Sequence, residues 1–114
     1  NIGATVVDMR FVKPLDEDVI SRLAESHELI VTLEENTIKG GAGSAVTEYL
    51  ESISSNCRTL NLGLPDRFIE HGDTGLLLAE CGLAVAGIHK TILTVLPVPL
   101  ARSVDSAYTL PPFL

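Results

Sequence analysis

A cluster of small residues, Gly40-Gly41-Ala42-Gly43-Ser44, comes directly before a predicted helix. Free backbone amides at the start of a helix, together with the helix dipole, can bind a phosphate or a carboxylate. The cluster matches neither the dinucleotide-binding fingerprint nor a Walker loop, because no lysine follows the last glycine. Two interpretations therefore stay open: an anion-binding turn, and a tight turn that lets the helix approach the preceding strand closely.

Two adjacent glutamates, Glu34 and Glu35, precede this cluster. Adjacent side chains of an extended segment point to opposite faces, so at most one of the two faces any given site. A pair of carboxylates for acid–base chemistry is therefore not predicted. We expect one of the two to cap a neighbouring element or to contact another domain.

The densest polar group follows the last predicted strand and consists of Asp66, Arg67, Glu70 and His71. A histidine beside carboxylates can act as a general base, but no serine stands in a nucleophile elbow and neither cysteine has a neighbouring base. In a second interpretation, an Asp66–Arg67 or Glu70–Arg67 ion pair holds the loop while Phe68 and Ile69 cover an apolar surface. In a third, that surface belongs to a missing domain and the loop is an interface. Polar loops over strand ends more often position other groups than take part in a reaction, which favours the interface interpretation.

The elements that must position these residues alternate between strand and helix. Short apolar runs rich in β-branched residues predict strands, and amphipathic spacing predicts helices. Asp16 is predicted to cap the first helix, Asp73 or Thr74 to cap the third, and Gly82 to end the third. The strands are predicted at residues 5–9, 29–33 and 59–64, and the helices at about 16–26, 45–53, 76–80 and 85–96. Such alternation with short links predicts an α/β fold in three layers, α/β/α, with a mostly parallel sheet.

Length and composition limit the classes of function. The chain has 114 residues, a formal net charge of -7 and 46% apolar residues, which is enough for one folded domain. So acidic a chain repels phosphate backbones, and we expect no nucleic-acid partner. The longest apolar runs are interrupted, so we also expect no membrane span. Cys57 and Cys81 are too few for a disulfide framework and suit a reduced, cytoplasmic protein.

The two ends of the chain differ from its middle. The chain begins without Met, so we expect a fragment or a processed chain. Residues 97–114 carry four prolines and only two charges, and proline prevents the last helix from continuing. We therefore predict a folded domain over residues 1–96, followed by a Pro-rich extended or disordered tail, with a packed arm as the alternative.

Several stretches together resemble one enzyme family, the carboxy-terminal domain of the 1-deoxy-D-xylulose-5-phosphate synthases, which are transketolase-type enzymes. They are VVDMRFVKPLD (6–16), VTLEEN (31–36), GGAGSAV (40–46), LGLPDRFIEHG (62–72) and LAECGL (78–83). Their order and spacing extend the resemblance over about residues 4–88. Beyond about residue 89 the resemblance ends.

The resemblance implies a transferase that condenses pyruvate with glyceraldehyde 3-phosphate and releases carbon dioxide, using thiamine diphosphate and magnesium. It feeds the synthesis of isoprenoid, thiamine and pyridoxal precursors. In this family the cofactor and metal sites lie on the two preceding domains, so no catalytic, cofactor-binding or metal-binding residue is expected on this chain. The third domain of the family has a five-stranded mixed sheet, and this chain supplies its last three strands. In that sheet, one of the missing strands would lie between the strands predicted at residues 5–9 and 29–33.

The resulting hypothesis is a non-catalytic domain that docks on the preceding catalytic domains and supports the dimer with a second protomer. The residues expected in interface or anion-binding loops are Glu35, Gly40, Gly41, Gly43, Ser44, Asp66, Arg67, Phe68 and His71. Two alternatives are an independent anion-binding or regulatory module that uses the glycine-rich turn, and the equivalent domain of another thiamine-diphosphate enzyme. The loop at residues 64–72 resembles the synthases more than their relatives, which favours the first hypothesis.

Overall fold

The structure is a computed structural model and describes residues 2–96. Its elements, in chain order, are α1 (Glu17–Ser26), β1 (Leu29–Thr37), α2 (Ala42–Ser52), β2 (Arg58–Leu64), α3 (Thr74–Glu80) and α4 (Val85–Val95). The two strands pair in parallel, from Leu29 opposite Arg58 to Leu33 opposite Leu62, and α2 forms the crossover between them. The predicted tail at residues 97–114 lies outside the described residues.

Helices α1 and α2 pack together on one face of the sheet and form the core. Asp16 begins α1 as predicted, because its Oδ1 accepts a hydrogen bond of 3.1 Å from the amide of Val19. Ile20 of α1 meets Val46 and Leu50 of α2, and these three are the buried apolar side chains in the described part of the chain. A core of this size gives the chain little hydrophobic stabilisation of its own.

Helices α3 and α4 lie against the other face of the sheet. Leu33 of β1 points away from α2 and shares a cavity of about 240 Å³ with Leu78 of α3 and Leu83 just after it. Helix α4 contacts β2, and the guanidinium of Arg58 donates to the carbonyl oxygen of Val95 at the end of that helix. The sheet therefore separates two helical layers, which confirms the three-layer α/β prediction.

The strand predicted at residues 5–9 is wrong. This segment has no regular structure, Val6 is 94% exposed, and only Met9 packs against the core. A strand is stable only when a neighbour pairs with its backbone groups. The neighbour that the family resemblance places beside β1 is not supplied by any of the described residues. The described sheet therefore has two strands, where three were predicted.

The end of α3 interrupts the most apolar stretch of the chain. Thr74–Val95 spans 22 residues and reaches a mean hydropathy of 1.6 over 18 of them, enough by length and composition to cross a membrane. Of the two predicted caps, Asp73 and Thr74, it is Asp73 that caps α3, and Gly82, at φ +76°, ends the helix in the left-handed conformation as predicted. The stretch is thus divided into helices of 7 and 11 residues, and each is shorter than the roughly 20 residues of a membrane span.

Candidate interface at the carboxyl edge of the sheet

The loops that follow β1 and β2 meet at the carboxyl edge of the sheet. The amide of Ile38 donates to the carbonyl oxygen of Leu64 over 3.1 Å. Lys39 follows Ile38 and Asp66 stands two residues after Leu64, and Lys39 Nζ lies 3.2 Å from Asp66 Oδ2. Both of these side chains are largely exposed, so the ion pair contributes at most about 1 kcal/mol and chiefly orients the two loops.

Glu34 binds the amino end of α2 with both carboxylate oxygens. Its Oε2 accepts from the amide of Ala42 at 2.8 Å, and its Oε1 accepts from the amide of Gly43 at 3.0 Å. The negative charge also interacts favourably with the positive end of the helix dipole. The expectation that one of the two glutamates caps a neighbouring element is confirmed.

The other amides of the glycine-rich turn also have acceptors within the chain. The amide of Gly40 donates to Ser44 Oγ at 3.2 Å, and the amide of Gly41 donates to the carbonyl oxygen of Ile38 at 3.3 Å. All four amides from residue 40 to residue 43 are therefore engaged, two of them by Glu34. An external phosphate would have to displace this carboxylate, so the geometry favours the tight-turn interpretation.

Two glycines allow α2 to approach the sheet closely. A Cβ atom on Gly43 would lie 2.8 Å from the side chain of Asn61, and one on Gly41 would overlap Glu34. At this contact Thr32 Oγ1 donates to Asn61 Oδ1 at 2.8 Å, and Asn61 Nδ2 donates to Thr47 Oγ1 at 3.0 Å. The side chains thus connect α2 to both strands. This network was not predicted, although an asparagine between Leu60 and Leu62 is a sequence signal for it.

Glu35 lies on the opposite face of β1 from Glu34, as the alternation of an extended strand requires. Its side chain is exposed and lines the cavity beside Leu78 and Leu83. The two carboxylates therefore serve different surfaces and do not form a pair for acid–base chemistry.

The polar loop after β2 presents an aromatic side chain to solvent. Phe68 is 102% exposed, so it covers no apolar surface of residues 2–96. The predicted Asp66–Arg67 and Glu70–Arg67 ion pairs are absent from this part of the chain. The physical reason is that Asp66 faces Lys39, while Arg67 Nη1 donates to the carbonyl oxygen of Phe68 at 3.5 Å. His71 is also exposed.

A different cavity, of about 360 Å³, lies at the amino edge of the sheet and was not predicted. It is lined by Ala24, His27, Glu28, Asn56, Cys57 and Arg58. The Cys57 thiol donates to the carbonyl oxygen of His27 at 3.3 Å, and burial raises the pKa of this thiol above its ordinary value. A raised pKa leaves less thiolate at neutral pH, which disfavours a nucleophilic role for Cys57.

The described residues do not suit a metal–diphosphate cofactor. Between residues 2 and 96, no three His, Cys, Asp or Glu side chains come close enough together to hold a metal ion. The helix start that could bind a diphosphate already holds Glu34. No chemical step is therefore assigned to a cofactor on this part of the chain.

Comparison with known proteins identifies the family of the chain. Residues 1–88 match the family described as transketolase, C-terminal domain. The chain is 59% identical over 91 residues to the 1-deoxy-D-xylulose-5-phosphate synthase of Nitrosomonas europaea, and 58% identical over 91 residues to that of Chromobacterium violaceum. These alignments cover 80% of this chain and 15% of each relative. The chain therefore spans about 15% of the length of these curated relatives, and it belongs to the transketolase C-terminal domain family.

Proposed function

We propose that this chain is the C-terminal docking domain of a cytoplasmic 1-deoxy-D-xylulose-5-phosphate synthase and supports the homodimer of that enzyme. The full enzyme condenses pyruvate with glyceraldehyde 3-phosphate and releases carbon dioxide. Thiamine diphosphate and magnesium are held by the preceding domains. The chain itself performs no chemical step and is inactive alone. The sequence identity of 59% to a synthase carries this proposal.

The exposed Phe68 supports docking through the carboxyl edge. A fully exposed aromatic ring is unfavourable in water and gains most when a partner's pocket buries it. The loop that carries this ring is tied to the loop after β1, because Asp66 pairs with Lys39. We therefore assign Phe68 as the anchor of the interface, with the cationic side chains near it contacting acidic groups of the partner.

A chimera tests the proposal. In it, this chain replaces the matched segment of the Nitrosomonas europaea synthase, and sedimentation gives the dimer dissociation constant while product formation gives kcat. We expect a dimeric, active chimera. Because interface anchors lose several kcal/mol on truncation, we expect Phe68→Asp to weaken the dimer by about 30-fold or more.

The matched control is Ile53→Asp, which also replaces a partly exposed apolar side chain, at the end of α2 farthest from the carboxyl edge. We expect this variant to leave the dimer unchanged. Equal effects of the two substitutions would contradict the assignment of Phe68. Product formation by the purified chain alone, supplied with both substrates and the cofactor, would contradict the proposed function itself.

The alternatives have less support. An independent anion-binding module needs free amides in the glycine-rich turn, and those of residues 40 to 43 are engaged within the chain. The equivalent domain of another thiamine-diphosphate enzyme is disfavoured because the relatives described above are 1-deoxy-D-xylulose-5-phosphate synthases.

A further inference from the structure

An apolar layer remains open to solvent on the side of the sheet away from the core. We call it the α3–α4 layer, and it consists of Thr74–Val95 together with Leu33 of β1. None of the residues in the two helices is buried, although the mean hydropathy reaches 1.6 over an 18-residue window of Thr74–Val95. Val85 is 85% exposed and Leu76 is 67% exposed. So much apolar surface marks a place where another segment or molecule binds.

The packing beneath this layer is also incomplete. The cavity of about 240 Å³ separates Leu33 and Glu35 of the sheet from Leu78 and Leu83. Folded proteins tolerate few voids larger than a water molecule, because the side chains around a void lose contacts. The cavity has room for side chains of another segment, which would contact both α3 and β1.

We propose that residues 97–114 of this same chain bind the α3–α4 layer. The chain leaves the layer at Leu96, directly after α4, and 18 further residues follow. Nine of these residues are apolar, and the two charged ones, Arg102 and Asp105, cancel. A segment of this composition gains free energy when an apolar surface covers it.

The length of the segment is sufficient. At about 3.3 Å per residue, 18 residues reach up to about 59 Å. Helix α4 has 11 residues and is therefore about 17 Å long. The segment can therefore return along α4 with fewer than half of its residues and still extend to the cavity beside Leu78.

Covalent attachment and charge favour residues 97–114 over a separate molecule as the segment that binds the α3–α4 layer. A covalently attached segment has an effective concentration in the millimolar range, which no free partner reaches in dilute solution. Two separate copies of this chain, each with a net charge of -7 and without the preceding domains that the proposed homodimer includes, repel each other. An anionic lipid surface is disfavoured because Lys90 is the one lysine or arginine in Thr74–Val95, and Glu80 opposes it.

A spin label on the full chain tests the proposal. Ser106→Cys is labelled with a nitroxide in a Cys57→Ser, Cys81→Ser background, and line broadening is measured for each backbone amide. We expect stronger broadening in α3 and α4 than in α1 and α2, because the sheet separates the label from the core helices. A label at Ser54→Cys, beside the end of α2, is the control and is expected to broaden α2 most. Broadening confined to the residues next to Leu96 would overturn the proposal.

To test whether a second copy of the chain binds the α3–α4 layer instead, spin-labelled chains without isotope enrichment are mixed with unlabelled, isotope-enriched chains. We expect no broadening in the mixture, and broadening of α3 and α4 there would overturn the proposal in favour of a dimer. As a second measurement, Leu110→Asp with Phe113→Asp is compared with Ser106→Asp with Thr109→Asp, which adds the same charge. We expect hydrogen exchange in α3 and α4 to become about tenfold faster only in the first pair. Equal hydrogen-exchange rates in the two double variants would also overturn the proposal.

Discussion

Replacing Glu34 tests how much of the chain's stability depends on the capped start of α2. In Glu34→Ala the amides of Ala42 and Gly43 lose their acceptors at 2.8 and 3.0 Å, and Gly43 is buried. Hydrogen bonds to a charged group contribute about 1.5–3 kcal/mol each, and a buried amide left without an acceptor is costly. Because water reaches the partly exposed Ala42, we expect a total loss of about 3 kcal/mol.

Glu34→Gln removes only part of the interaction that Glu34→Ala removes. It keeps one carbonyl oxygen as an acceptor but removes the charge and the second acceptor, so we expect a loss of about 1.5 kcal/mol. Glu35→Ala is the matched control, because this neighbouring carboxylate is exposed on the other face of the strand. We expect that substitution to change the free energy of unfolding by less than about 0.5 kcal/mol.

The assay is urea unfolding of the full chain followed by circular dichroism. For a chain of this size the slope is about 1 kcal/mol per molar urea, so the Glu34→Gln midpoint is expected to fall by about 1.5 M. Equal midpoints for Glu34→Gln and Glu35→Ala would refute the reasoning. Phosphate at matched ionic strength is expected to stabilise Glu34→Ala but not the unaltered chain, because only the variant has free amides at the helix start.

Three further predictions concern the packing of α2 and the chemistry of the amino edge. Gly43→Ala is expected to destabilise the chain by about 2 kcal/mol in the same urea assay, because the new Cβ would lie 2.8 Å from Asn61. Gly72→Ala, whose Cβ would lie 3.6 Å from Leu77, is the control and is expected to change little. Tyr49→Phe removes the 2.7 Å hydrogen bond between Tyr49 Oη and Ser21 Oγ and is expected to cost about 1 kcal/mol, measured by thermal unfolding. In a Cys81→Ser chain, Cys57 is expected to react with iodoacetamide more slowly at pH 8 than free cysteine, because burial raises the pKa of its thiol.

The raised pKa of Cys57 also predicts how the stability of the folded chain changes with pH. Since the pKa of this thiol is raised in the folded chain, its contribution to stability is fully present below the ordinary pKa of 9.0. That contribution is lost as pH rises through the higher pKa of the folded state. A Cys57→Ser chain is expected to lose less stability between pH 8 and the alkaline range. Identical losses in both chains, or reaction of Cys57 as fast as free cysteine, would contradict the assigned burial.

Rules that act between neighbours along the chain predicted most of the helices and their ends. Asp16 and Asp73 cap helices because each side chain reaches an amide three residues later. Gly82 ends α3 because its φ of +76° favours a residue without a Cβ. The opposite faces of Glu34 and Glu35 follow from the twofold alternation of a strand. The family could also be identified at this level, because the motifs that carry it are local.

The sequence by itself thus determined the order of the elements, their caps and the family, since each depends on contacts of short range. Tertiary structure decided the rest. The segment at residues 5–9 has a strand-like sequence but no strand beside it, and Asp66 pairs with Lys39 across two loops instead of with adjacent Arg67. The glycine-rich turn is closed to anions because folding brings Glu34 back onto its amides from eight residues away. Such partners are chosen by packing in space, and spacing along the chain does not specify them.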